Sequence, residues 1–305
     1  MAALVHVISL LTSSLEDLTC NFHTRREALL EDAISSFVCR RGSSLRSFNS
    51  DVLLSEAAIH HLMQLPNLRC WAASYHEPPP TPPPVAFPPL KVLSLKQAAL
   101  PWLHLFASHG KEIVQEGSIP AASRSNIKET LESLMYLSAT TIDPTFVSSV
   151  INFRNLAFLQ VNGYCLGPEG CISRLTDGDV ERLAAALPRL ETLRLESPCS
   201  SNSCNTTVAS LMSISVNCLN LMVLEVHFNT VDIVRDLRLL IDGSSGHDRP
   251  KCKVGGLMVG DVPLDVHEVD VETVAMGFRA ILPCLANFIG SGKWLSVQAA
   301  LSALD

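Results

Sequence analysis

One spacing limits what this chain can fold into: Leu-x-x-Leu-x-Leu, preceded by a helical segment, recurs from one end of the sequence to the other. Its clearest copy is Leu190-Glu191-Thr192-Leu193-Arg194-Leu195. Alternate residues of an extended strand point to opposite faces, so Leu193 and Leu195 are expected inward while Thr192, Arg194 and Glu196 look out. Just ahead, Val180, Leu183, Ala184 and Leu187 fall on one helical face. Thr176 suits the N-cap of that helix, Asp179 places negative charge in its first turn, and Pro188 stops it. The repeating unit is therefore helix, turn and short strand.

Aligned on the first position, the copies begin at Leu15, Leu45, Leu68, Leu90, Leu131, Leu156, Leu190, Leu221, Val254 and Leu285, a mean step of about 30 residues. The best repeats lie within 88–265. The copies at Leu45, Leu68 and Leu285 keep two apolar anchors and lose the third, as terminal units of a stacked array commonly do. No single unit of this size buries its own apolar face, so neighbours must stack. The expected fold is α/β, a leucine-rich repeat solenoid with a curved parallel sheet on one face and helices on the other. It is expected as one irregular domain over 1–305, closed by a C-terminal capping helix within 291–305 in which Trp294, Val297, Leu301 and Leu304 share a face.

This pattern resembles the leucine-rich repeat family, and more narrowly the longer, irregular repeats of F-box proteins, including fungal ones. The residues that carry the resemblance are Asn217-Cys218-Leu219-Asn220-Leu221 ahead of Met222-Val223-Leu224-Glu225-Val226, and the helix-starting segment Leu175-Thr176-Asp177-Gly178-Asp179-Val180. The position three after the last anchor, Asn or Cys in the family, is matched by Asn229 but is Pro198, Tyr164, Ala98 and Val262 elsewhere. What the resemblance implies is a substrate-recognition subunit of an SCF-type ubiquitin ligase that binds a protein partner. The adaptor-binding F-box precedes the repeats in that family, whereas repeat-like spacing here begins at Leu15; the F-box is thus expected upstream of Met1 or absent, and the ligase adaptor is a partner only if it is present.

Composition narrows the partners. The net charge of −7 and the pI near 5.8, with only short basic pairs such as Arg25-Arg26 and Arg40-Arg41, leave no positive stripe for phosphates, so nucleic acid is not expected. The ten cysteines lack the tight pattern of a disulfide scaffold and read as reduced thiols of a cytoplasmic or nuclear protein. The apolar run Met1–Leu11 has no basic flank and reads as the helix of a first unit rather than a signal peptide, and no stretch reaches the length of a membrane span. Pro78-Pro79-Pro80-Thr81-Pro82-Pro83-Pro84 leaves no room for a helix between Leu68 and Leu90, so 78–89 reads as a Pro-rich loop. Segments 117–126 and 242–250 read as exposed insertions.

Reactive constellations are sparse. Cys199 and Cys204, with Cys165, Cys171 or His227 nearby in sequence, lack the second close pair that a zinc site needs. His267-Glu268 lacks the second histidine of a metalloprotease helix. Gly290-Ser291-Gly292-Lys293 is followed by Trp294 where a phosphate loop has Ser or Thr, and reads as a turn. His60 and His61 read as helix residues near a core edge. No catalytic, cofactor-binding or metal-binding residue is assigned, and no cofactor is expected. The outward strand face is left as the candidate surface: Gln160 and Asn162, then Thr192, Arg194 and Glu196, then Glu225 and His227, flanked by Phe158, Val223, Gly256, Met258 and Gly260. Such an array suits a protein partner better than a small molecule, because contacts spread over several units without a deep pocket. Two other classes compete: an α/β enzyme, hydrolase-like, which requires a doubly wound sheet with a pocket at the strand ends, and a secreted repeat receptor, in which Asn205-Thr206-Thr207 would be a glycosylation site.

Overall fold

A computed structural model describes residues 15–20, 28–74, 89–96, 103, 106–107, 127–138, 144–163, 175–196, 205–243, 252–259, 264 and 270–304. The chain is α/β, with ten parallel strands and nine α-helices among these residues. Its contacts divide it into two compact units, Met1–Leu137 and Ser138–Asp305.

In the first unit, β1 (Asp17–Cys20), β2 (Ser47–Ser50), β3 (Cys70–Ser74), β4 (Val92–Lys96) and β5 (Ser133–Ser138) pair as β1–β2, β2–β3, β3–β4 and β4–β5. Helices α1 (Ala28–Arg41), α2 (Glu56–Met63) and the short α3 (Ile127–Thr130) lie between them. In the second unit α4 (Pro144–Val150) precedes β6 (Phe158–Gly163), and then strands and helices alternate: α5 (Asp177–Ala186), β7 (Thr192–Glu196), α6 (Val208–Asn217), β8 (Val223–Val226), α7 (Ile233–Gly243), β9 (Gly256–Met258), α8 (Val271–Ile281), β10 (Asn287–Ile289) and α9 (Trp294–Ala303). Strand order follows sequence order within each unit, without the reversal that defines a doubly wound sheet.

The repeated spacing sets the register. The middle anchors form two ladders, Leu18–Phe48–Trp71–Leu93–Leu134 in the first unit and Leu159–Leu193–Leu224–Leu257–Phe288 in the second, with side chains at most 8% exposed. Each buried leucine contributes on the order of 1.5–3 kcal/mol. A second regularity accompanies it. The backbone carbonyl just after the first anchor (Glu16, Arg46, Arg69, Lys91, Ala157, Glu191, Met222, Gly255) accepts two N–H groups from the next rung, at 2.7–3.2 Å. Both lone pairs of one oxygen thus tie each strand entry to its neighbour, and the leucines are locked in step.

The three copies with a missing anchor are full rungs. Where the third anchor shrinks to Ser50, Ala73 or Gly290, the middle one is Phe48, Trp71 or Phe288. At Gly290 the space of a third anchor is taken by Trp294 and Val259, whose atoms lie 2.5–2.9 Å from where a Cβ would stand. Trp71 meets Phe106 edge-on at 6.0 Å, and Phe288 joins Phe228, Phe278 and Trp294 in a cluster with ring centroids 5.6–6.2 Å apart.

Helix α5 starts as its sequence requires. The Thr176 hydroxyl oxygen accepts the Asp179 N–H (3.3 Å), and the Asp179 carboxylate accepts the Thr176 N–H (3.0 Å) in return. Val180, Leu183, Ala184 and Leu187 are buried. At the chain's last helix, Trp294, Val297 and Leu301 are buried as expected, but Leu304 is 43% exposed. Helix α9 ends at Ala303, so Leu304 leaves the apolar face that its spacing assigned to it. Residues 290–293 are a turn that leads into α9, with Gly292 at φ 58°. The run 1–11, the Pro-rich 78–84, segment 117–126 and residues 244–250 lie outside the described residues.

Candidate partner-binding face

The parallel register of the second unit brings most of the candidate residues into rows. Gln160, Arg194, Glu225 and Met258 face one another across β6, β7, β8 and β9, and Phe158, Thr192, Val223, Gly256 and Asn287 form the row beside them. Asn162 is in register with Glu196, whose side chain lies outside the described residues, as does Gly260. His227 follows β8 directly. Gln160, Asn162, Thr192, Arg194, Glu225 and His227 are all half-buried. They therefore stand on a rigid ladder, with part of each side chain in water.

Arg194 and Glu225 approach each other on adjacent rungs, Nε to Oε2 at 3.8 Å, with side chains 36% and 17% exposed. A pair this open contributes little to stability, about 0–1 kcal/mol. Its effect is positional: each charge holds the other over the sheet. Gln160 on one side and Met258 on the other continue the row with an amide and a thioether. The surface mixes charge, amide and apolar groups at strand separation.

The elements beneath are held by contacts that the repeat spacing does not announce. The Asp177 carboxylate at the start of α5 accepts both the N–H (2.7 Å) and the O–H (2.8 Å) of Thr207, the N-cap of α6. The Thr206 hydroxyl donates to the His227 carbonyl at 2.8 Å, which ties the start of α6 to the end of β8. Their only local signal is a Thr or Asp at each helix start. Burial raises the energy of the Asp179 carboxylate, yet the Thr176 N–H, the Arg182 guanidinium (2.6 Å) and the Thr176 hydroxyl outweigh it and hold its pKa below the ordinary value. Cys218 sits at the end of α6, with Sγ 3.6 Å from the Ala184 carbonyl at the end of α5. Burial, aided by neighbouring Cys252, pushes its thiol up to about 12, so it is a neutral packing group.

The first unit has an outward face too, for which the sequence named no residue. Its rows are Asp17–Ser47–Cys70–Val92–Ser133 and Thr19–Asn49–Ala72–Ser94–Met135, mostly small groups, with the Lys96 ammonium 2.6 Å from Asp51 at the strand ends. Among the described residues no group of three or more His, Cys, Asp or Glu could hold a metal ion, and no helix is long and apolar enough to cross a membrane. Cys165, Cys171, Cys199 and Cys204 lie outside them, while His60 and His61 sit half-buried on α2. No family model and no curated protein matches this chain.

Proposed function

We propose that this chain is a non-enzymatic protein-binding scaffold of the leucine-rich repeat type that captures its partner on the outward face of β6–β9. The observation that carries this reading is the row Gln160–Arg194–Glu225–Met258, four unlike side chains held at strand spacing by a ladder of fully buried leucines. Recognition across several rungs needs such a fixed lateral pattern and no deep cavity. Strand order without reversal and the sequential helix-strand alternation support the repeat reading over a doubly wound enzyme. The narrower form is a substrate receptor of an SCF-type ubiquitin ligase, in which an F-box outside these residues would hold the adaptor. The spacing of the ten cysteines, which lacks the tight pattern of a disulfide scaffold, supports a cytoplasmic or nuclear setting.

The test is affinity capture with the parent and with an Arg194→Glu, Glu225→Lys exchange, which reverses both charges while keeping an opposite pair. Partner recovery should fall at least about tenfold, the result of removing roughly 1.4 kcal/mol from a hot spot, with the melting temperature unchanged. Equal recovery would refute the face. Adaptor and cullin in the captured material would establish the narrower form, and their absence from capture with a chain that includes its upstream sequence would retire it.

A further inference from the structure

The two charges at the centre of the outward face are not equally presented. Glu225 is the more enclosed, its side chain 17% exposed, and Arg194 the more open at 36%. Arg194 Nε is buried and donates no hydrogen bond, since the nearest carboxylate oxygen, Glu225 Oε2, lies 3.8 Å away and beyond hydrogen-bond reach. The guanidinium therefore meets solvent through its terminal N–H groups, with donors to spare. A second feature lies two rungs away. In the row Phe158–Thr192–Val223–Gly256 the side chain is missing at Gly256. A Cβ built there would have one described atom within 4 Å, the Met222 carbonyl oxygen at an ordinary 3.9 Å. Gly256 opens strand β9 and its φ is not positive, so neither crowding nor a left-handed backbone requires glycine at this position. The face is recessed here, between Val223 on β8 and Met258 two residues further along β9, both half-buried.

We infer that the partner captured on β6–β9 presents an acidic peptide segment, which sets one carboxylate on Arg194 and one aliphatic side chain in the recess above Gly256; this rests on the function proposed above. The sign of the charge follows from the ion pair: its cation is the member offered to solvent, so its complement is an anion. A planar guanidinium with open terminal N–H groups matches a carboxylate at two points. A carboxylate adds one negative charge beside Glu225. A phosphate would add about two, with the same single guanidinium to offset them, so an acidic side chain is selected over a phosphorylated one. The aliphatic contact follows from the walls of the recess, Val223 and Met258. Glycine inside a strand gives up packing and marks a place where another group approaches closely. Two rungs of about 4.8 Å and one strand step of about 6.7 Å place the two contacts about 12 Å apart, which an extended segment of about five residues spans.

The probe is a phage-displayed library of random peptides selected on the immobilised full chain, followed by fluorescence anisotropy with the most enriched peptide, synthesised with a fluorescein label. Enriched sequences should pair an Asp or Glu with a Val, Ile or Leu inside a window of about five residues. Exchanging the peptide's acidic residue for its amide, or Arg194→Gln in the chain, should each weaken binding at least about tenfold, and the two together should cost little more than either alone. Gly256→Val, which fills the recess from a strand position with room for a side chain, should weaken binding as much without lowering the melting temperature. Phosphoserine in place of the acidic residue should bind more weakly than the acid. Failure to enrich any sequence, tighter binding of the phosphoserine peptide, or parent-like binding to a folded Gly256→Val chain would overturn the inference. Enriched peptides that lack a carboxylate yet lose binding to the Arg194→Glu, Glu225→Lys chain would overturn it too, while leaving the face as the binding site; peptides bound equally by that chain would contradict the face itself.

Discussion

Two glycines in one turn, Gly290 and Gly292, should respond to the same substitution for different reasons and by different amounts. A Cβ added at Gly290 would lie 2.5 Å from Trp294 Cβ, 2.9 Å from Trp294 Cγ and 2.9 Å from Val259 Cγ2. None of these contacts is relieved by turning a flexible chain end. Trp294 is fully buried against Phe228, Phe278 and Phe288, so α9 itself would have to move. Overpacking of this kind costs about 1–3 kcal/mol, and the 2.5 Å contact places Gly290→Ala in the upper half, about 2–3 kcal/mol. For a unit of this size that corresponds to a melting temperature lower by roughly 5–10 °C. Gly292 has nothing within 4 Å of its added Cβ but sits at φ 58°, where an L residue costs roughly 1 kcal/mol. Thermal melts of the two variants, followed by circular dichroism, test the argument. Trp294→Leu combined with Gly290→Ala should be less destabilised than the sum of the single changes, since the two residues share one space. If Gly290→Ala melts within error of the parent, or no lower than Gly292→Ala, the packing account of this turn is wrong.

Two further outcomes follow from the titratable groups. Asp179→Ala should destabilise by about 1–2 kcal/mol at neutral pH, because it removes half of a capping box and the acceptor for Arg182. The folded-state pKa of Asp179 is depressed, so its contribution is complete above the ordinary value of 3.8 and is lost as pH falls through the lower folded-state value; melts of parent and variant should converge in strong acid, and a gap that persists there would refute the assignment. Cys218 and Cys252 are fully buried while Cys39 and Cys284 are exposed. Maleimide at neutral pH should therefore modify Cys39 and Cys284 in the folded chain and reach Cys218 only after unfolding, as read by peptide mass mapping; labelling of Cys218 in the native state would contradict its place between α5 and α6.

How much of this was legible beforehand can be read from particular residues. Leu159, Leu193, Leu224 and Leu257 were recognisable as equivalent, and they pair in adjacent rungs, because strand side chains alternate strictly and a one-residue slip would turn every leucine outward. The N-cap at Thr176 and the stop at Pro188 were legible for the same local reason: a side-chain acceptor or a missing N–H acts within one turn. The rungs at Phe48, Trp71 and Phe288 read as weak copies, since a pattern scored for three branched anchors does not register a buried ring followed by a small residue. The Gln160–Arg194–Glu225–Met258 row is intermediate. Alternation assigned its members to the outward face, but their alignment across strands depends on register.

The amino-acid order alone, then, determined the interval of the rungs, the inward set of leucines and the helix starts, all of which follow from chain geometry within a few residues. Only the tertiary structure decided which carbonyls bind two neighbours, that Asp177 holds Thr207 thirty residues away, and that Gly290 is small because Trp294 lies against it. Those contacts join residues from different rungs, and their energies depend on distances that exist only after the rungs have stacked.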